Sequence, residues 1–261
     1  MPFHQLDSLR YFTFDILERI PHAVFTRQGG TSPDPWASLN VGGTVGDDPE
    51  RVIENRKKSF NALNRNFDSV FDVWQVHSRD VLCTDHPRPV GTPHQKADAI
   101  LTNQPGVTLF MRFADCVPIL LWDPFKQVIG LVHAGWQGTV KKVSVATIER
   151  MKEQYGCHPE NIQAAIGPSI GKHHYPVGDE VADQIRSAFG DLALDLLFQD
   201  SNTGQAGFFL DLWTANQLTL SEAGIRNIEI CGLCTACNLD DWYSHRAEAG
   251  KTGRFGVLIG L

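Results

Sequence analysis

No stretch of this 261-residue chain is long and apolar enough to suggest a membrane span, and residues 1–20 are broken up by Arg10, Asp15, Glu18 and Arg19. Neither a spanning helix nor a secretory leader is therefore expected, and a cytoplasmic location follows as the expectation. Basic runs are also scarce: Arg56-Lys57-Lys58 is the longest, and the chain carries a net charge of -7 with a pI near 5.8. That leaves no electrostatic footprint for DNA or RNA. Internal repeats, low-complexity tracts and Ser/Gly linkers are missing, so residues 1–261 read as one continuous domain. There is no heptad pattern or long edge pattern to mark an interface, so a monomer is expected. Ten histidines are present without a single H-x-H pair, which removes the ligand pattern of a four-copper oxidase.

What is present is ordinary for a globular enzyme: 42% hydrophobic and 20% charged residues. The six cysteines, without a secretory signal, read as reduced thiols or ligands rather than a disulfide framework.

Short apolar runs at Val70 to Val76, Ala99 to Thr102, Val107 to Phe113 and Ile162 to Ile166 predict strands. Two further runs, Val117 to Trp122 and Gln127 to Val132, flank Asp123-Pro124-Phe125-Lys126, whose turn chemistry predicts a hairpin. Such a hairpin brings Cys116 and His133 to one end of an antiparallel pair. The stretch after Gly138 to Tyr155 has Val140, Val143, Ala146, Thr147 and Met151 near helical spacing and ends at Gly156. Further helices are expected over Asp179 to Phe189 and Asp211 to Ala223, the latter with Asp211 as N-cap and Gly224 as stop. Ile228 to Ile230 and Arg254 to Ile259 complete the strands. Hairpins mixed with later helices indicate a layered α/β or α+β domain rather than a purely parallel sheet.

Three segments each place one soft ligand after a strand-like run: His77 in Gln75-Val76-His77-Ser78, Cys116 in Ala114-Asp115-Cys116, and His133 in His133-Ala134-Gly135-Trp136. Two imidazoles and a thiolate are a catalytic zinc ligand set that leaves a fourth position for water or substrate. Copper suits the same set by ligand softness. A nucleophilic reading uses the same residues, with Cys116 attacking, His133 as base and Asp115 or another carboxylate orienting it. Asp115 is also the candidate proton donor by position. Arg27, in Thr26-Arg27-Gln28-Gly29-Gly30-Thr31-Ser32, and Arg246, in Tyr243-Ser244-His245-Arg246, are candidates to offset the charge of a phosphate.

Two other motifs carry less. Gly167-Pro168-Ser169-Ile170-Gly171 matches a nucleophile elbow, but Lys172 to Pro176 intervene where a helix must start, so a pocket-shaping loop fits better. Cys231, Cys234 and Cys237 form two overlapping C-x-x-C pairs with no second ligand pair at suitable spacing, His245 being the nearest candidate.

Taken together, Thr26 to Ser32, Ser38-Leu39-Asn40, Val45-Gly46-Asp47-Asp48, Asn55-Arg56, Gln75 to Ser78, Ala97-Asp98-Ala99, Ala114 to Pro118, His133 to Trp136, Gly167 to Gly171 and Tyr243 to Arg246 resemble the YfiH/YlmD family, in older usage the laccase-domain or multicopper polyphenol oxidase family. The match covers nearly the whole chain. The resemblance implies an α+β fold layered α-β-β-α with mixed sheets, and zinc held by His77, Cys116 and His133. It implies purine nucleoside phosphorolysis on adenosine, inosine, guanosine and methylthioadenosine, with adenosine deamination as a further activity. Purine nucleosides and phosphate would then be the small-molecule partners, with Asn40 and Arg56 joining Arg27 and Arg246 in substrate binding. Alternatives implied by the family are removal of L-serine from a cell-wall precursor and copper-dependent polyphenol oxidation. Two points set this chain apart. It has Tyr175-Pro176-Val177-Gly178 where the family has Tyr-Glu-Val-Gly, and the match of Cys234-Thr235 leaves Cys231 and Cys237 as incidental.

Overall fold

The computed structural model describes residues 2–199 and 207–261. Two six-stranded mixed sheets pack face to face. The first runs, edge to edge, through Phe3–Leu6, Leu9–Phe12, His22–Phe25, Phe255–Gly260, Thr108–Phe113 and Val70–Phe71. The second runs through Asn227–Ile230, Gln163–Ile166, Val117–Asp123, Val128–Ala134, Ala99–Thr102 and Val81–Cys83. A small sheet of Pro176–Val177, Phe208–Leu210 and Leu197–Phe198 lies apart from them.

Three apolar clusters explain the layering. Leu109, Met111 and Val257 of the first sheet meet Ile100, Leu120, Ile129 and Leu131 of the second in the cluster between them. The outer face of the second sheet, with Val117, Ile119 and Val132, is covered by helices Val143–Tyr155, Asp179–Phe189 and Leu212–Glu222 through Ile148, Met151, Ile185 and Leu220. The outer face of the first sheet packs Phe110 and Leu258 on Phe60 of helix Pro49–Ala62. Each such buried side chain contributes about 1.5–3 kcal/mol. The result is the α-β-β-α order that the family resemblance implies. The central strands are buried on both faces, which is why they read as continuous apolar runs rather than alternating ones.

The predicted hairpin forms over Val117–Asp123 and Val128–Ala134, with Pro118 opposite His133 and Val117 opposite Ala134. Asp123 closes its turn by accepting from the N–H groups of Phe125 and Lys126 at 2.9 and 3.0 Å.

Two local expectations need correcting. The strand expected over Val70 to Val76 stops at Phe71. Beyond it the Gln75 side-chain amide takes over the ladder's role, donating to the Arg112 carbonyl at 2.8 Å and accepting from the Arg112 N–H at 3.1 Å. The single helix expected from Gly138 to Tyr155 is two, Trp136–Val140 and Val143–Tyr155, because Lys142 takes a left-handed φ of 59° between them. The left-handed cap at Gly156 and the Asp211 cap, which accepts from Thr214 N at 3.0 Å, form as the sequence predicts.

Candidate metal centre

His77, Cys116 and His133 come together from three separate segments, with Nδ1 or Nε2 of each ring and the Cys116 Sγ all within 4.8 Å of one another. The hairpin supplies two of them: His133 lies near the end of its second strand, and Cys116 immediately precedes the first. Positive φ values at His77 (58°) and at Asp115 (80°), the residue before Cys116, turn the chain sharply where these two ligands enter the cluster. The Cys116 Sγ lies 3.8 Å from the His77 Nε2. Gly135 is required by this crowding, since a Cβ there would sit 2.8 Å from the Cys116 sulfur and 3.0 Å from the His77 ring.

Asp98 organises two of the three ligands, a role that its motif alone did not disclose. Its Oδ1 lies 2.8 Å from the His133 Nδ1, and its Oδ2 accepts from the main-chain N–H groups of Val76 and Ser78 at 3.1 and 2.6 Å, on either side of His77. A proton on His133 Nδ1 held in this way leaves Nε2 to face the cluster, the usual arrangement for a metal-ligating histidine. The orienting carboxylate is thus Asp98 and not Asp115.

The charges are mutually reinforcing. Burial opposes ionisation of Cys116, but His133 and His77 outweigh it and lower the thiol's pKa. Burial likewise opposes the His133 cation, and the Cys116 thiolate with Asp98 outweighs it and raises the imidazole's pKa. Burial raises the Asp98 carboxyl, yet its bonds to His133 and Ser78 hold it down at about 2. A half-buried thiolate beside two imidazoles is a soft donor set for zinc or copper, and three ligands leave one position for another group.

This cluster opens into a cavity of about 560 Å³. Arg56, Arg112 and Arg254 line it together with Trp74, Gln75 and His245. Asp72 fixes Arg112 by accepting from Nη1 at 2.9 Å, while also binding His94 and Arg88. Arg56 uses its Nε on the Val41 carbonyl, and Arg254 uses Nη1 on those of Thr252 and Gly253. Each guanidinium has further N–H donors for an anion. Burial and the neighbouring Arg112 push Arg56 down to about 10, so it remains charged at neutral pH.

Of the residues expected at the substrate, Arg56 lines the cavity and Arg27, Asn40 and Arg246 do not. Arg27 is committed elsewhere: its guanidinium binds Glu248 at 3.0 Å and the Ala37 carbonyl at 2.8 Å, over the Tyr243 ring. Arg246 stacks on Tyr175 and donates to the Pro176 carbonyl. Asn40 is fully buried and accepts from the N–H groups of Gly42 and Arg254, both cavity-lining residues, so it shapes the wall from behind. Asp115 accepts from Thr235 Oγ1 at 2.6 Å and from Arg246 N at 2.7 Å. With an oxygen tied to each, it anchors the loops beside Cys116, and it is not among the residues that line the cavity. Nothing in the neighbourhoods of Arg112 and Arg254 along the chain marks them as cavity residues.

The cysteine-rich segment also differs from expectation. Cys234 and Cys237 have ligand partners after all, His173 and His174, whereas His245 belongs to the cavity.

The sequence model described as multi-copper polyphenol oxidoreductase laccase matches residues 21–261. A purine nucleoside phosphorylase of Deinococcus radiodurans is 40% identical over 93% of this chain and 89% of its own. The purine nucleoside phosphorylase YlmD of Bacillus subtilis is 37% identical over 90% and 86%. Among solved structures, a hypothetical protein YfiH of Bacillus licheniformis superposes with a TM-score of 0.92 at 33% identity, covering 100% of this chain and 99% of that one. YlmD of Geobacillus stearothermophilus does so with 0.86 at 31% identity, covering 99% and 98%.

Proposed function

This chain belongs to the multi-copper polyphenol oxidoreductase laccase family, and from that premise we propose that it is a zinc-dependent purine nucleoside phosphorylase. One observation carries the reading: the His77, Cys116 and His133 donors open into a cavity lined by three arginines. A phosphorylase has to hold a phosphate dianion against the ribose of a neutral nucleoside. Arg56, Arg112 and Arg254 offer the donors for the first task. Trp74, 47% exposed at the cavity, offers an aromatic face for the purine.

When bound, zinc supplies a Lewis acid and a means of acidifying water. Asp98 keeps the His133 ring in one tautomer, so the donor set is preorganised. The arginines orient the phosphate so that one oxygen reaches the anomeric carbon as the bond to the purine nitrogen breaks. Asp72 holds Arg112 in place for that purpose. The substrates would be purine nucleosides and inorganic phosphate.

Three protein donors would leave a bound metal room for a water ligand, which also favours adenosine deamination as a second activity of this site, in which water replaces the C6 amino group and ammonia leaves.

The test is to measure hypoxanthine release from inosine with and without phosphate, and inosine formation from adenosine, alongside metal content for the wild type and Cys116→Ala. Phosphate-dependent release that disappears with the metal supports the reading. Undiminished release in metal-free Cys116→Ala overturns it, and copper in place of zinc with phenol oxidation would redirect it.

A further inference from the structure

His173 and His174 occupy a single 3-10 turn, Lys172–His174, and face the turn that carries Cys234 and Cys237. Their donors form a second cluster of four, all within 4.8 Å of one another. His173 Nε2 lies 3.0 Å from Cys237 Sγ, and His174 Nδ1 lies 3.5 Å from Cys237 Sγ and 3.6 Å from Cys234 Sγ. A tetrahedron with zinc–sulfur bonds of about 2.3 Å and zinc–nitrogen bonds of about 2.0 Å places its corners roughly 3.3–3.8 Å apart. The two His174 distances fall inside that range and the His173–Cys237 distance is a few tenths of an ångström short of it, a gap that side-chain adjustment closes.

We infer that His173, His174, Cys234 and Cys237 bind a zinc ion in a closed, structural site separate from the catalytic donor set.

Several features of the surroundings agree. Cys234 is buried, and the Gly171 main-chain N–H points at its sulfur from 3.1 Å, a contact that fixes the position of the sulfur. Gly171 tolerates no side chain there, because a Cβ would lie 2.8 Å from the His173 ring and 3.2 Å from the Cys234 sulfur. The spacing Cys234-Thr-Ala-Cys237 is that of a metal-binding turn. The sulfurs are free thiols, which leaves both available as ligands. Cys231, by contrast, lies outside the cluster.

Four protein ligands leave no open position, so the role is to clamp two loops. Those loops reach the catalytic donors. Thr235, next to Cys234, donates to Asp115, and the Ile170 N–H donates to the Asp115 carbonyl, with Cys116 the next residue in the chain. Tyr175 follows His174 and stacks under Arg246, whose N–H also reaches Asp115. A metal here would hold the backbone that presents Cys116.

The decisive experiment is zinc stoichiometry by elemental analysis of protein purified under reducing conditions. Two zinc ions per chain are expected for the wild type, one for Cys116→Ala, one for the double variant His173→Ala/Cys237→Ser, and none when all three substitutions are combined. Wild-type zinc of one per chain that vanishes in Cys116→Ala overturns the inference. So does retention of two by the double variant. If the double variant does not fold, cobalt titration of metal-stripped Cys116→Ala decides the matter: thiolate-to-cobalt charge transfer with a tetrahedral d–d spectrum is expected, and its absence overturns the site. Mass analysis finding a Cys234–Cys237 disulfide in the reduced preparation would also do so.

Discussion

The Nδ1 of His133 and Oδ1 of Asp98 face each other at 2.8 Å with the aspartate side chain wholly buried, and the main-chain N–H of His133 donates to the Asp98 carbonyl at the same distance. Two contacts between the same two residues fix both the ring and the strand that carries it. Asp98→Asn retains the shape but no longer forces the proton onto Nδ1. Zinc affinity at this centre should fall about 10–100-fold, measured by competition with a chromophoric chelator. An unchanged affinity would show that Asp98 is not what orients the ligand.

Gly135→Ala places a methyl group 2.8 Å from the Cys116 sulfur and 3.0 Å from the His77 ring. Since both neighbours are ligand side chains, the substitution should displace them and weaken zinc binding by at least about tenfold, a cost near 1.4 kcal/mol. The thermal transition of the metal-free protein should move by comparison little, because the Gly135 backbone is extended. A variant that binds zinc normally would mean the ligands relax freely.

Arg56→Gln keeps a polar group at the cavity wall but removes its charge. Hydrogen bonds to charged groups contribute about 1.5–3 kcal/mol. The KM for phosphate at saturating inosine should therefore rise roughly 10–100-fold, with a smaller change in the KM for inosine. Initial rates over a phosphate series check this, and a loss confined to the inosine KM would relocate the phosphate.

Asp72 links the cavity to acid stability. Burial raises its carboxyl, but His94, Arg112 and Arg88 outweigh burial and hold its pKa far below the usual carboxylate range. A depressed folded value contributes stability that is present above the unfolded pKa of about 3.9 and is lost as pH falls below it. Asp72→Asn should thus lower unfolding free energy by about 3 kcal/mol at pH 7, because it leaves buried cations uncompensated. Denaturant melts at pH 7 and at pH 3.5 should show the gap between variant and wild type narrowing in acid. A gap independent of pH would point to packing instead.

A layered mix of strands and helices, and the pairing of Cys116 with His133, can be read along the chain because their signals are local, whereas the α-β-β-α order follows from the family resemblance. Two doubly buried strands around Asp123-Pro124 announce themselves as apolar runs and a turn, and their antiparallel pairing places Cys116 near His133 whatever the rest of the chain does. His77 shows its ligand chemistry at the end of a strand-like run, but nothing along the chain places it beside the hairpin, and the family resemblance supplies that link. Asp98, Arg112 and Arg254 reach the site from strands or loops far apart in sequence, and no spacing rule connects an aspartate on one segment to a histidine 35 residues later. Arg27 shows the converse. Its glycine-flanked motif has the composition of an anion loop, but the carboxylate it meets in the fold is Glu248, 221 residues away. The same physics governs the second cluster: a C-x-x-C pair advertises two ligands along the chain, whereas its partners His173 and His174 lie some 60 residues upstream and meet it only because the Gln163–Ile166 and Asn227–Ile230 strands run parallel and deliver the loops that follow them to one edge.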